Sequence, residues 1–132
     1  MNKLQFLGFF ISLGYVFYVL WWKYNYKNFF EKNRLLINIL ISICWASFGL
    51  ITNYTVESSS FLFPLFLIFH IRIFDTLSIL IRNRHFRPCY GKGLIPANAN
   101  IVDALLTLIV LLLNVVLPII FLNLVINGKA FN

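Results

Sequence analysis

Residues 101–126 read IVDALLTLIVLLLNVVLPIIFLNLVI, a run whose sole ionisable side chain, Asp103, stands near its start. Coiled as a helix at 1.5 Å per residue, such a run is about 39 Å long, which exceeds the hydrocarbon core of a bilayer at about 30 Å. It is read as a membrane span that must tilt or bend. Pro118 lacks an amide donor and crowds the turn before it, so it is the expected place of a bend. Pro96, Asn98 and Asn100 ahead of the run read as a turn and helix cap, with Asp103 in the first turn, where the helix dipole favours a carboxylate.

Working outward from this run, residues 4–22, 35–54 and 61–81 are also apolar over about the 20 residues that a crossing takes, and the first two stretches contain no charged residue. None alternates with the period of a barrel strand, so each is expected to satisfy its backbone polar groups as a helix. Hydrophobic residues make up 61% of the 132 and charged ones 11%, against roughly 25% charged in a soluble domain, which excludes an ordinary water-soluble fold. The connections, 23–34, 55–60 and 82–100, leave no room for a domain outside the membrane. The expected architecture is all-α: one integral membrane domain over 1–132, with four transmembrane helices, short loops and both termini on the same side. The first span ends in Trp21, Trp22, Tyr24 and Tyr26 and not in a small-residue cleavage site, so it is read as a retained span with an interfacial aromatic belt and not as a signal peptide.

Basic residues sit in alternate connections. Lys23, Lys27, Lys32 and Arg34 lie in the first and Arg82, Arg84, Arg87 and Lys92 in the third, whereas Glu57 is the one charged residue of the second. The first and third connections are therefore expected on the positive side. The net charge of +7 is mostly this loop bias, which points to anionic phospholipid, such as cardiolipin, and not to nucleic acid. Lys23, Lys27, Arg82, Arg84, Arg87 and Lys92 are the candidate headgroup contacts. Cys44 in the second span and Cys89 in the third connection are read as free thiols, and no metal or cofactor site is expected. Asn53-Tyr54-Thr55 matches the glycosylation pattern but lies against the membrane. Gly91 and Gly93 beside Lys92 lack the spacing of a phosphate loop. No Ser/His/Asp set, haem-type histidine pair or carboxylate cluster is present, so no catalytic residue is assigned.

The third span carries His70, Arg72 and Asp75 near its middle, where ionisable side chains are costly enough to need compensation. They are read as a structural pair, Arg72 with Asp75, buried against a partner helix, or alternatively as a quinone or proton site. Asn38, Ser42, Ala46 and Gly49 share one face of the second helix, and Asp103, Thr107 and Asn114 one face of the fourth. Small and weakly polar residues at such spacing mark helix-packing faces.

The chain holds 15 Phe, 17 Ile, 13 Asn, 6 Lys and 6 Tyr but only 5 Ala, a bias that membrane location explains for Phe and Ile and that AT-rich codons explain for all of them. In this composition, over its whole length, it resembles the small hydrophobic respiratory-chain subunits encoded in the mitochondrial genomes of divergent protists such as ciliates. No family motif accompanies the likeness. The proton-relay glutamate of the small complex I subunit has no counterpart, since Glu31 and Glu57 fall in loops, and the quinone-site context of the succinate dehydrogenase anchors is missing around His70 and Asp75. The resemblance implies a non-catalytic subunit of a mitochondrial inner-membrane respiratory complex, packed against other membrane subunits. Two other readings stand beside it: a quinone-binding membrane anchor, and a small independent channel or transporter of a bacterial or viral membrane.

Overall fold

A computed structural model of the chain describes residues 3–21, 29–88 and 100–128. The helices are α1 (Lys3–Trp21), α2 (Lys32–Thr52), α3 (Phe63–Arg82) and α4 (Ile101–Asn127), with a 3-10 segment at Val56–Leu62 running directly into α3; the described residues contain no strand. All four helices are long and apolar enough to cross a membrane, and the chain is a multi-pass membrane protein.

Helix boundaries follow local chemistry. Pro64 occupies the first turn of α3, where its missing amide costs nothing. Asn83 ends α3 in the left-handed region, φ 52° and ψ 32°, and its amide donates to the Ile79 carbonyl; asparagine is among the few side chains that tolerate this conformation. At the start of α4, Asn100 and Asp103 form a capping box, each side chain accepting from the other residue's amide at 3.1 Å. α4 continues through Pro118, which is buried.

Consecutive helices run antiparallel. Tyr15 Oη donates to Asn38 Oδ1 at 2.8 Å, Trp45 Nε1 to Ser12 Oγ at 2.8 Å, and Gln5 Nε2 to Thr55 Oγ1 at 2.9 Å, so α1 and the chain from α2 onward pass in opposite directions. The Phe66 and Phe121 rings pair at 5.9 Å, and Arg82 meets Asp103 at the far end, which sets α4 against α3 in the same way. α3 with its 3-10 extension is the central element, contacting each of the other helices. Phe30 and His85 come within 6.3 Å, so the described ends of the first and third connections share one end of the bundle.

The interior mixes an apolar core, with Val16, Leu67, Ile71, Phe86 and Val110 buried, and small or polar side chains on the helix-contact faces, whereas the outside is apolar. Ser12, Ser42, Ala46, Asp103, Thr107 and Asn114 are buried, while Phe10, Ile41, Leu80, Leu105 and Leu124 are exposed. Where lipid surrounds the protein, apolar side chains gain nothing by turning inward, so close backbone approach and internal hydrogen bonds decide which face packs. The packing faces read from the sequence, Ser42/Ala46/Gly49 and Asp103/Thr107/Asn114, are the buried faces of α2 and α4, and Asn38 is half-buried beside Tyr15.

Residues 55–60, read from the sequence as a short connecting turn, belong largely to a 3-10 helix, Val56–Leu62, whose second half is buried. Ser58, Ser59, Ser60, Phe61 and Leu62 are all buried, against α1, α2 and α4. The physical reason is Phe61. Its ring stands where a Cβ on Gly8 or Gly49 would be, so the two glycines let α1 and α2 close on it, and Trp45 adds a face at 5.1 Å. An aromatic side chain seated this way draws its flanking serines inward, where Ser58 Oγ donates to the Asn53 carbonyl.

Candidate functional site

The polar residues of α3 and α4 gather into three groups, each built from the ends or faces of these helices. The first lies where α3 ends and α4 begins. Asp103 is fully buried, and its carboxylate accepts from Arg82 Nη2 at 2.7 Å, from Arg84 Nη2 at 2.7 Å and from the Asn100 amide at 3.1 Å. Arg82 also donates to Ser78 Oγ at 2.6 Å, and Ser78 Oγ in turn donates to the Arg84 carbonyl at 2.7 Å. Thr107 Oγ1 donates to the Asp103 carbonyl at 2.7 Å. A carboxylate bound by a pair of guanidinium groups in a low-dielectric setting is a strong, directional tie, and it joins the turn after α3 to the first turn of α4.

The second group forms because Asn83 reverses the chain. Residues 84–88 then return along α3, placing Phe86 fully buried in the core beside Phe74 and bringing His85 and the Phe86 amide to Asp75. Asp75, 6% exposed, accepts from the Phe86 amide at 2.9 Å, and His85 Nδ1 lies 3.1 and 3.2 Å from its carboxylate oxygens. Since the carboxylate can only accept, the imidazole presents Nδ1–H.

The third group is the pair His70 and Asn114, which face each other across α3 and α4. Both are buried, yet among the described residues His70 Nδ1 and both amide atoms of Asn114 have no partner at hydrogen-bond geometry. Pro118 deepens this polar spot, because it removes the amide that would donate to the Asn114 carbonyl four residues earlier.

These positions correct the expected arrangement of the third span. Arg72 and Asp75 do not pair: Arg72 is exposed, with its guanidinium carbon 5.4 Å from the centre of the Phe30 ring, while Asp75 faces the returning 84–88 segment. At three residues apart the two side chains point only about 60° apart around the axis, but Asp75 is turned to the core and Arg72 stands at its exposed edge. His70, Arg72 and Asp75 thus share a helix without forming one cluster. Arg82 and Arg84, expected at lipid headgroups, both bind Asp103; Arg87 is half-buried in the returning segment. Lys23, Lys27, Lys92 and Cys89 lie outside the described residues. Cys44 is an exposed free thiol.

His85 and Phe86 were missed by sequence reasoning because they stand in a connection; the usable signal was Asn83, two residues past the apolar run 61–81, a residue type that tolerates a left-handed helix cap but does not say where the chain goes next. The role of Asp103 as an arginine acceptor was hidden behind its capping role, which it fills at the same time. Among the described residues no group of three or more His, Cys, Asp or Glu is placed to hold a metal ion. Compared with protein-family models, curated proteins and solved structures, the chain matches none.

Proposed function

We propose that the chain is a non-catalytic structural subunit of a multi-subunit electron-transport complex of the mitochondrial inner membrane, packed among other membrane subunits. The observation that carries this reading is the use to which the intramembrane carboxylates are put. Asp75 and Asp103 are buried and each is held by partners from its own chain, His85 and the Phe86 amide for one, Arg82 and Arg84 for the other. A proton or ion path needs groups that exchange partners along the membrane, whereas these groups tie a connection to a helix. The assignment to a mitochondrial respiratory complex rests on the codon-driven composition. The wide apolar outer surface, from Phe6 and Phe10 on α1 to Phe121 and Leu124 on α4, fits either lipid or neighbouring subunits.

Native electrophoresis of the source membrane, with mass spectrometry of the bands, tests the proposal. The 15.4 kDa chain is expected to migrate with respiratory subunits in a band many times its own mass. Migration at its own size, apart from any such subunit, would refute it.

A further inference from the structure

We infer that the exposed face of α3 around Arg72 docks a membrane-spanning helix of another protein, which brings an aspartate or glutamate to the Arg72 guanidinium. The inference rests on the reading above in that the chain packs against other membrane proteins, and not on which complex they form. Phe69, Arg72, Ile73, Thr76, Leu77 and Leu80 recur at three- and four-residue spacing, so they make one stripe along α3, and all six are exposed. Arg72 is the one ionisable side chain of the stripe. At 1.5 Å per residue its Cα lies about 15 Å from the Arg82 end of α3 and about 14 Å from the Phe63 end.

A cation in the middle of a span, on a face turned away from its own bundle, requires a counter-charge. Among the described residues the guanidinium has the Phe30 ring as its contact, at 5.4 Å, and no acceptor within hydrogen-bond distance. A ring face offsets only a small part of the cost of desolvating a cation. The chain's own acidic residues are committed or distant. They are Glu31, Glu57, Asp75 and Asp103. Asp75 is held by His85 and the Phe86 amide, Asp103 by Arg82 and Arg84, and Glu31 pairs with Arg34 at 2.8 Å. Glu57 belongs to the 3-10 segment, at the opposite end of α3. A second copy of the chain in the same orientation therefore offers no carboxylate at this depth, and the partner is a different protein.

The surroundings of Arg72 favour a helix carboxylate over a lipid phosphate. Towards Arg82 the face stays apolar and exposed through Ile73, Leu77, Leu80 and Ile81, so hydrocarbon continues past the guanidinium on the side where headgroups would lie. The docking surface is also shaped for a side chain. Arg72, Ile73, Thr76 and Leu77 border an open groove of about 270 Å³. Thr76 is small and turns its hydroxyl back to the Arg72 carbonyl at 3.0 Å, which lets a neighbouring backbone approach. The planar guanidinium at the edge of this groove matches a carboxylate with two parallel N–H···O bonds.

The test uses the full chain in its source membrane. Native electrophoresis of the wild-type chain comes first, because migration at its own size refutes the subunit reading whatever Arg72 does. Where the wild-type chain runs in a complex, Arg72→Leu is expected to lower its share in that band about tenfold or more, since the partner's carboxylate is left unpaired. Arg72→Lys, which keeps the charge, should retain much more of it. Unfolding of the isolated Arg72→Leu chain in bicelles should stay close to wild type, which separates docking from folding. Benzoylphenylalanine in place of Leu77, photoactivated and followed by mass spectrometry, should join a membrane-spanning segment of another protein that carries Asp or Glu within one helical turn of the link. Arg72→Glu should remove the chain from the complex, and changing that acid to arginine on the partner should restore it. Equal assembly of wild type and Arg72→Leu would overturn the inference. So would cross-links confined to phospholipid, to a second copy of this chain or to a segment without an acidic residue.

Discussion

The two ends of the bundle are held by different physics. Where α3 meets α4, Asp103 is enclosed by Arg82, Arg84 and its own capping partner, and Asp75 by His85 and the Phe86 amide, so connection and helix are joined by charge-assisted hydrogen bonds. At the other end the 3-10 segment is wedged among α1, α2 and α4 by shape, with Phe61 seated over Gly8 and Gly49. Charge-assisted bonds are directional and leave an expensive orphan when one partner goes, whereas a packed ring fails only when volume is added or removed. The contrast teaches that polar residues and glycines in this chain do the same work, helix closure, by separate means.

The largest effect expected of a single change is at the polar end. Asp103→Leu would leave the guanidinium groups of Arg82 and Arg84 without their shared acceptor, at a cost of about 3–5 kcal/mol. Denaturant-driven unfolding in bicelles measures this loss. At the packed end, Gly49→Leu is expected to cost about 1–3 kcal/mol by overpacking. Trimming the ring with Phe61→Ala should recover part of it, whereas Leu40→Phe on the exposed side of α2 should change stability little. Gly49→Ala should be worse than Gly8→Ala, because the added methyl meets the root of Phe61 at Gly49 and only the tip of its ring at Gly8. If the glycine variants and Leu40→Phe behave alike, the packed end is not held as described.

The smallest effect expected is that of Arg72→Leu, which among the described residues removes an exposed cation–π contact with Phe30, a loss of about 0.5–1 kcal/mol. Asp75→Leu would strand the Phe86 amide and His85 and should cost more, about 1–3 kcal/mol. A double variant whose cost falls well below the sum of the single ones would restore the Arg72–Asp75 pair that the geometry excludes.

Much of the framework was legible from residue pattern. The spans of α1 and α4 fall within a residue of their predicted limits, because apolar runs of this length have one stable conformation in lipid. The stripes Ser42/Ala46/Gly49 and Asp103/Thr107/Asn114 were readable from helical periodicity alone. What was not legible depends on contacts between connections and helices. Nothing local says that Phe61 finds two glycines on separate helices, so residues 55–60 read as a turn. Nothing local says that the chain after Asn83 returns to Asp75, so Asp75 was matched to its nearest basic neighbour in sequence, Arg72. Spacing of three residues on a helix favours such a pair only when no better acceptor or donor arrives from outside.

The central claim is that the buried charges are structural ties and not a conduction or redox site. The most direct measurement replaces the whole tie at once, Arg82→Met, Arg84→Met and Asp103→Leu in one chain, and records both the amount of assembled complex and its electron-transfer rate per assembled complex. Apolar replacement of a complete buried ion cluster is often close to neutral, so assembly should recover well above that of Asp103→Leu alone, with turnover per complex unchanged. A triple variant that assembles normally but no longer turns over would contradict the structural account and place chemistry at Asp103.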